Sequence, residues 1–262
     1  GKLLLAGFIP GGLTALGYAL AINLILRRRP ELAPTSSAPA PWRARIGSLG
    51  TAAPPALLMV IVVLAIYTGV VTPTEIGAVG ALLALAIGVA MGRIGWRGFV
   101  HALVAATRTS AMILVIVVCA AVFAIFLTMT GVTQDLLDAI QAAQINRWMV
   151  LVLVLLMLLV LGFFLDQLAI LVLTLPLTFP ILTGLGFDEI WMGVVFVKTA
   201  EIGLITPPMG MNVFVVGSVA EVPAHRVFRG VWPFVLVELV LLALLVAFPQ
   251  LSLWLPELAA IK

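Results

Sequence analysis

Residues 203–212 read Gly-Leu-Ile-Thr-Pro-Pro-Met-Gly-Met-Asn and interrupt a run that is otherwise long and apolar enough to cross a membrane. Proline lacks a backbone N–H and its ring clashes with the preceding turn, so Pro207 and Pro208 should break a helix here. The carbonyls of about Gly203 to Thr206 then lose their helical partners, which is costly in hydrocarbon unless something binds them. In transporters such a motif is typical of a discontinuous helix whose unwound carbonyls hold Na⁺ or H⁺, with a half-helix N-terminus facing an anion. The alternative is a packed helix that is only kinked at the two prolines.

Composition assigns the chain to the membrane. Its 262 residues are 63% hydrophobic and 10% charged, whereas soluble domains average about 45–50% apolar and about 25% charged. The single cysteine, Cys119, lies in an apolar run, which excludes an intrachain disulfide and indicates a small core residue. The two histidines, His101 and His225, lie in different loops, so the sequence offers no Cys/His metal cluster.

Motif searches argue against an enzyme. The chain lacks the Gly-x-Ser-x-Gly pattern of serine hydrolases and the His-Glu-x-x-His pattern of zinc proteases. It also lacks the Gly-x-Gly-Asp pattern expected of an intramembrane protease. We therefore expect no enzymatic activity.

Apolar runs of about 18–25 residues predict the membrane spans. They lie at about 3–26, 52–70, 75–92, 109–130 and 230–250, together with the broken helix at about 189–220. Residues 27–50 carry three consecutive arginines and several prolines, which is typical of a linker. Residues 95–108 are basic and contain Trp and Phe, which predicts an interfacial helix ahead of the next span.

Two further segments precede the break. Residues 133–141 are amphipathic and predict a surface-lying arm helix with Thr133 as its N-cap. Residues 148–184 are apolar and too long for one crossing. They form either two full spans with almost no loop or a re-entrant hairpin with its tip near Gly162. A turn between two full spans should be more polar than Gly162-Phe-Phe-Leu-Asp166, which favours the hairpin.

Basic residues predict the orientation. The segments 27–51, 92–108 and 221–230 contain ten of the fourteen Lys and Arg residues. Simple alternation of spans with a re-entrant hairpin places all three segments on one side. By the positive-inside rule that side is the cytoplasm, so the arm helix and the C-terminus are predicted to be periplasmic.

Four motifs, taken in order, resemble the large membrane subunit of the tripartite ATP-independent periplasmic (TRAP) transporters. They are Leu5-Ala-Gly-Phe-Ile-Pro-Gly-Gly12, Gly69-Val-Val-Thr-Pro-Thr-Glu75, Gly162-Phe-Phe-Leu-Asp166 and the break motif at 203–212. The resemblance covers the whole chain but only the second half of the family's length. We therefore expect a piece of a longer polypeptide whose first inverted repeat is absent.

The resemblance implies a multi-pass, all-α protein of the bacterial inner membrane that forms half of an elevator-type transporter. It implies Na⁺-coupled uptake of carboxylated solutes, such as C4-dicarboxylates or sialic acid, delivered by a periplasmic binding protein. A small membrane subunit and the absent N-terminal half are the other implied partners. The alternative is a channel or another anion/Na⁺ symporter-like permease, because carbonyl-lined breaks also form filters.

The resulting division of the chain has six parts. They are a transmembrane helix (1–27), a cytoplasmic linker (28–50), scaffold-type transmembrane helices (51–131), the periplasmic arm helix (132–146), the transport-domain hairpin and broken helix (147–221), and the last transmembrane helix with the C-terminal tail (222–262).

The hairpin tip and the break supply the candidate site residues. The carbonyls of Gly162, Gly203 and Met209, with the carbonyl or hydroxyl of Thr206, are hard oxygens suited to a small cation. The resemblance places a site for Na⁺, the coupling ion, at these same positions. Candidate substrate contacts are Asp166, Pro207, Pro208 and Asn212.

Several polar residues keep two interpretations. Lys198 and Glu201, like Asp166, suit a structural contact as well as substrate binding, since ionisable residues in apolar runs face the bundle or a cavity. Glu238 is expected to be structural or subunit-facing. Thr72-Pro73-Thr74-Glu75 suits a helix cap better than a site. Asn212 could orient a carboxylate or bind the opposite backbone.

Overall fold

The structure is a computed structural model, and it describes residues 2–32, 42–69, 71–72 and 75–260. Within these ranges every regular element is a helix. The helices are α1 (Lys2–Ala6), α2 (Phe8–Arg28), a 3₁₀ turn (Pro30–Leu32), α3 (Trp42–Tyr67), α4 (Glu75–Ala90), α5 (Trp96–Thr130), α6 (Val132–Ala142), α7 (Arg147–Gly162), α8 (Gln167–Gly184), α9 (Glu189–Ile205), α10 (Met211–Val219), α11 (Ala224–Ala247) and α12 (Gln250–Ala260). The predicted all-α class is confirmed.

Four stretches in the described part of the chain are long and apolar enough to cross a membrane. They are Lys2–Arg28, Trp96–Thr130, Gln167–Gly184 and Ala224–Ala247. Helices α4 and α7 are equally apolar but have 16 residues each, about 24 Å at 1.5 Å per residue. Several apolar helices of this length indicate a multi-pass membrane protein.

Two stretches differ from the predicted layout. Helix α3 begins at Trp42, inside the expected linker, whose central residues 33–41 lie outside the described residues, as do Pro73, Thr74 and the last two residues. Residues 95–108 do not form a helix separate from the next span, because α5 is one helix of 35 residues. No proline or turn motif separates Arg108 from Thr109, so helix propagation continues through this point.

The described residues between 31 and 110 form one compact unit. Helices α3 and α4 pack together, and a Cβ added at Gly80 would lie 3.6 Å from the Val62 side chain, an ordinary contact. At the start of α4, the backbone N–H and hydroxyl of Thr72 donate to the Glu75 carboxylate at 2.9 and 2.7 Å. The Glu75 N–H donates back to the Thr72 hydroxyl at 3.3 Å. These reciprocal bonds are a capping box, which confirms the cap interpretation.

Residues 2–30 and 111–262 form the second unit, with α9 at its centre. Eleven of the seventeen residues of α9 are buried, and α7, α8 and α11 pack around it. Leu151 and Leu158 of α7, Ile170 of α8 and Phe196 of α9 are almost completely buried in this core. The indole of Trp191 donates to the Leu245 carbonyl at 2.8 Å and ties α9 to α11. This packing holds the helix that carries the break motif.

The arm helix forms as predicted, but its cap does not. Helix α6 begins at Val132, so Thr133 lies inside it and caps nothing, and the predicted N-cap is wrong. Gly131 precedes the helix with φ +70°, and this left-handed glycine turns the chain without a capping side chain. The apolar face lies against α8, where Leu137 covers Gly184 and Ile140 contacts the core.

The structure also places Cys119 and the C-terminal tail. Cys119 is exposed rather than in the core, because its face of α5 lies on the surface. The C-terminal tail contains α12, which packs against α1 and α2 and buries Ser252. The tail therefore belongs to the second unit.

Candidate functional site

The first half of the candidate site is a helical hairpin made by α7 and α8. Residues 163–166 form its turn, directly after Gly162 at the end of α7. Asp166 is the N-cap of α8, because its Oδ1 accepts a hydrogen bond from the Ala169 N–H at 2.9 Å. The side-chain amide of Gln167 donates a hydrogen bond to the Val197 carbonyl of α9 at 3.4 Å. Asp166 thus makes the polar backbone contact that was one of its two expected roles.

The second half is the predicted helix break, which the structure contains. Helix α9 ends at Ile205, and Thr206 adopts extended angles of φ −90° and ψ 137°. A cis peptide bond joins Pro207 to Pro208. Gly210 then has a left-handed φ of +31°, and α10 starts at Met211. The discontinuous helix inferred from the two prolines is confirmed.

Gly162 and Gly203 bring the two halves into contact. A Cβ added at either glycine would lie 2.7 Å from the Cα of the other. The Cβ of Gly203 would also approach the Leu159 carbonyl at 3.0 Å. Any side chain at these positions would push α7 and α9 apart. The absence of a side chain at both positions lets the end of the hairpin helix meet the end of α9.

The two backbones that meet at this contact are helical, although a hairpin tip and an unwound break predict that non-helical backbones meet here. Gly162 is the last residue of α7, and Gly203 lies two residues before the end of α9, so both are helical. The reason is local: the first residue to leave helical angles is Thr206, the one directly before a proline, where the α conformation is disfavoured.

Hydrogen bonds use some of the oxygens at the break. The Thr206 N–H donates to the Gly203 carbonyl at 3.2 Å, and the Thr206 hydroxyl donates to the Ile202 carbonyl. The Val213 N–H donates to the Gly210 carbonyl at 2.8 Å. None of these bonds uses the carbonyls of Thr206 or Met209. The Gly203 carbonyl has its second lone pair left for another donor or a cation.

The other predicted residues spread outward from the contact. Pro207 is half-buried, whereas Pro208 and Met209 are exposed. Asn212 lies in the first turn of α10 and is exposed as well. The structure thus brings Gly162, Gly203 and Thr206 close together along two packed helices, while Asn212 lies at the start of the second half-helix.

The donor set suits a hard monovalent cation better than a transition metal. Among the described residues no three His, Cys, Asp or Glu side chains come together. What the break offers is backbone carbonyls and one hydroxyl, the ligands that Na⁺ takes in broken-helix sites.

Sequence reasoning singled out Lys198, Glu201 and Glu238 but missed their partners on α2. The Lys198 ammonium contacts the Thr14 hydroxyl at 3.0 Å, and the Tyr18 hydroxyl donates to Glu238. Glu238 has no exposed surface, so it is not subunit-facing, and its structural interpretation holds. The signal for α2 was available: Thr14 and Tyr18 are four residues apart and share one face of an apolar helix.

Comparisons with known proteins agree with these features. The family model described as "Tripartite ATP-independent periplasmic transporter, DctM component" matches residues 1–251. The chain is 35% identical over 260 residues to the sialic acid TRAP transporter large permease protein SiaM of Vibrio cholerae. It is 33% identical over 258 residues to the C4-dicarboxylate TRAP transporter large permease protein DctM of Pseudomonas aeruginosa. It is 28% identical over 262 residues to the isethionate TRAP transporter permease protein DctMQ of Oleidesulfovibrio alaskensis.

The matches cover nearly all of this chain but only part of each relative. The first two cover 98% of this chain and 60% of each relative, and the third covers 97% of this chain and 40% of the relative. The chain therefore spans about three fifths of the length of SiaM and DctM. These relatives are named as permeases, which supports the expectation that the chain is not an enzyme. Because the family model covers nearly the whole chain, this chain belongs to the DctM component family of TRAP transporters.

Proposed function

We propose that this chain is part of a secondary active transporter that takes up organic anions together with Na⁺ across the bacterial inner membrane. The observation that carries the proposal is the contact between Gly162 and Gly203, which joins a helical hairpin to a helix break in the core of an apolar protein. In hydrocarbon such a break persists only where its backbone groups find partners or line a cavity. A transported cation is such a partner.

The cation is proposed to bind carbonyls of Gly162, Gly203 and Met209 with an oxygen of Thr206. Support comes from the hydrogen bonds at the break, which leave the Thr206 and Met209 carbonyls out of use. Glycine has no Cβ to shield its carbonyl, so an ion can approach the Gly162 and Gly203 carbonyls closely. A proton carried in place of Na⁺ would instead need a side chain that titrates at the break, and these four residues offer none.

The solute is proposed to be a carboxylate. Sialic acid and C4-dicarboxylates carry carboxylates, and isethionate, named for the third relative, is also an organic anion. The N-terminus of α10, with Asn212 in its first turn, carries the positive end of a helix dipole that favours a negative group. Pro207, Pro208 and Asn212 are thus the proposed solute-facing residues, and Asp166 is kept as a weaker candidate.

The proposed assembly includes more than this chain. The longer relatives carry an additional segment, which we propose supplies a second, inverted copy of the hairpin and break. A small membrane subunit and a periplasmic binding protein complete the system, and the greater length of DctMQ supports a second membrane component joined to the permease there. Residues 147–221 would move as a transport domain in an elevator mechanism, with the helices of 51–131 as scaffold.

The test is uptake by proteoliposomes that contain the permease with the additional segment, the small subunit and a binding protein loaded with a carboxylate. We expect saturable uptake that requires an inward Na⁺ gradient and the binding protein. Thr206→Ala should raise the Na⁺ concentration for half-maximal uptake roughly tenfold, which is the effect expected when one ligand to a charged group is lost. Thr128→Ala removes a hydroxyl with the same bond to the carbonyl four residues earlier and should change nothing.

Three outcomes would contradict the proposal. Uptake that does not respond to Na⁺ would remove the coupling ion. Flux that never saturates and ignores the binding protein would favour the channel alternative. Accumulation of the solute by residues 1–262 alone would show that no additional segment is needed.

A further inference from the structure

A cluster of five polar side chains lies between α2, α9 and α11, away from the break. At its centre is Lys198, which is 7% exposed. Its ammonium lies 2.6 Å from Glu238 Oε2, 3.2 Å from Glu201 Oε2 and 3.0 Å from the Thr14 hydroxyl. An ammonium group has three donors, and here three oxygens from three helices surround it.

The cluster is anchored on both neighbouring helices. Glu238 of α11 is completely buried, and its second oxygen accepts a hydrogen bond from the Tyr18 hydroxyl. The Tyr18 ring packs edge-on against Phe234 at 5.2 Å. On α2, the Thr14 hydroxyl in turn donates to the Pro10 carbonyl at 3.0 Å. Lys198 is thereby connected to the backbone of α2 and to a fixed carboxylate on α11.

Buried ion pairs of this kind add little stability over apolar packing, but the loss of one partner leaves a costly unpaired charge. Such a cluster therefore selects one arrangement of its helices over others. Any rotation or sliding of α9 that separated Lys198 from Glu238 would leave the buried Glu238 carboxylate without a cationic partner in an apolar environment, while Lys198 would keep only Glu201 of its own helix. The cluster disfavours every other register of α9 on α2 and α11.

The cluster and the glycine contact hold α9 from different sides. Lys198 and Gly203 are five residues apart, which places them about 140° apart around the helix at 100° per residue. Gly203 faces α7 through Gly162, while Lys198 faces α2 and α11. These two contacts therefore both constrain the rotation and depth of α9, and with them the position of Thr206.

We propose that Lys198 is a positioning residue for the cation site: its contacts with Thr14 and Glu238 set α9 so that Gly203 meets Gly162 and the helix breaks beside the hairpin. The proposal rests on the proposed function, since it concerns the same Na⁺ site. Lys198 itself does not touch the ion. Its role is to place the residues that do.

The experiment compares Lys198→Met with the double variant Lys198→Met/Glu238→Gln in the complete transport system described above. The single variant leaves Glu238 charged and buried, whereas the double variant removes both charges with little change in volume. Glu201→Gln provides the control, because Glu201 is the half-exposed partner of Lys198. Three quantities are measured: the yield of monodisperse protein, the Na⁺ concentration for half-maximal uptake, and a disulfide yield.

The disulfide reports the position of α9 without reference to Na⁺. Leu3→Cys and Gly193→Cys are introduced in a Cys119→Ala background, because a Cβ at Gly193 would lie 2.7 Å from the Leu3 side chain. In the native arrangement this pair should cross-link readily. A shift of α9 along α1 should lower the yield.

We expect Lys198→Met to lower the protein yield and the disulfide yield. The double variant should recover the protein yield yet still need roughly fivefold or more Na⁺, within the range seen when residues outside a site alter its affinity. Glu201→Gln should stay close to native. Native disulfide yield and native Na⁺ requirement in the double variant would overturn the proposal and leave Lys198 a purely structural role.

Failure of the proposed function is a separate result. If uptake by the native protein ignores Na⁺, the coupling proposal fails first. In that case the disulfide yield alone tests whether Lys198 positions α9. An unchanged yield in the double variant refutes this role, and a reduced yield supports it, whichever ligand the break binds.

Discussion

The chain contains two Pro-Pro pairs, and they have opposite effects on their helices. Pro54 and Pro55 lie inside α3, which continues without interruption from Trp42 to Tyr67. Pro207 and Pro208 separate α9 from α10. Each proline removes one backbone donor and introduces a steric clash in either place. The prolines alone therefore do not explain why only one helix breaks.

The residues that follow each pair provide part of the explanation. After Pro55 comes Ala-Leu-Leu-Met-Val, a run of good helix formers and one β-branched residue that resumes the helix at once. After Pro208 comes Met-Gly, and Gly210 takes a left-handed φ of +31° that an L-residue rarely adopts. A helix can continue past a lost bond, but it cannot continue past a left-handed residue.

Packing provides the rest. Pro208 and Met209 are exposed, as Pro55 is, but the break lies between two buried glycines, Gly203 and Gly210. A Cβ at Gly210 would lie 3.1 Å from the Phe228 ring of α11, and Gly203 is in direct contact with Gly162. A helix break therefore needs both a backbone able to leave the helix and neighbouring residues that stabilise the interrupted conformation.

The largest effect is expected where packing holds the break. Gly203→Leu should abolish Na⁺-dependent uptake, because the side chain would enter the Gly162 backbone. Even Gly203→Ala should cost about 1–3 kcal/mol by overpacking. The matched control is Gly80→Ala, whose Cβ meets Val62 at 3.6 Å and which should stabilise α4 by about 0.5–1 kcal/mol. Thermal unfolding and uptake are measured, and normal Na⁺ dependence in Gly203→Leu would refute the site.

A smaller loss is expected when the prolines themselves are replaced. Pro207→Ala/Pro208→Ala restores two donors, so α9 can extend, yet Gly210 and its neighbours still oppose a continuous helix. We expect the Na⁺ concentration for half-maximal uptake to rise roughly tenfold, which corresponds to about 1.4 kcal/mol. The matched pair Pro54→Ala/Pro55→Ala should raise stability, by up to about 3 kcal/mol per residue, without altering Na⁺ dependence. Equal effects of the two double variants on uptake would contradict the distinction between the pairs.

The smallest effect is expected at Asp166, where the structure shows a cap. Asp166→Ala should lower the free energy of unfolding by about 1 kcal/mol through loss of the bond to the Ala169 N–H. Asp166→Asn keeps a capping oxygen and should preserve stability, so its uptake tests the candidate substrate role of Asp166 separately from the cap. If Asp166→Asn folds normally but loses uptake of the solute, the carboxylate binds the substrate and the break is not the only polar element of the site.

Much of this molecule was predictable along the chain. The break, the hairpin turn near Gly162 and the arm helix each follow from local rules about proline, turns and amphipathic spacing, and the structure contains all three. The errors are also local in origin. Thr133 has the residue type of an N-cap, but the left-handed Gly131 ends the preceding helix two residues earlier, and α6 begins at Val132.

The sequence by itself was sufficient for the class of protein, the position of the break and the family, because apolar length, missing donors and ordered motifs are properties of the chain alone. It could not show that Pro54 and Pro55 would be tolerated, that Gly162 faces Gly203, or that Lys198 meets Thr14 and Glu238. Those contacts join residues 41, 184 and 40 positions apart. Which of many apolar helices pack together, and in what rotation, depends on complementary surfaces that no local pattern records.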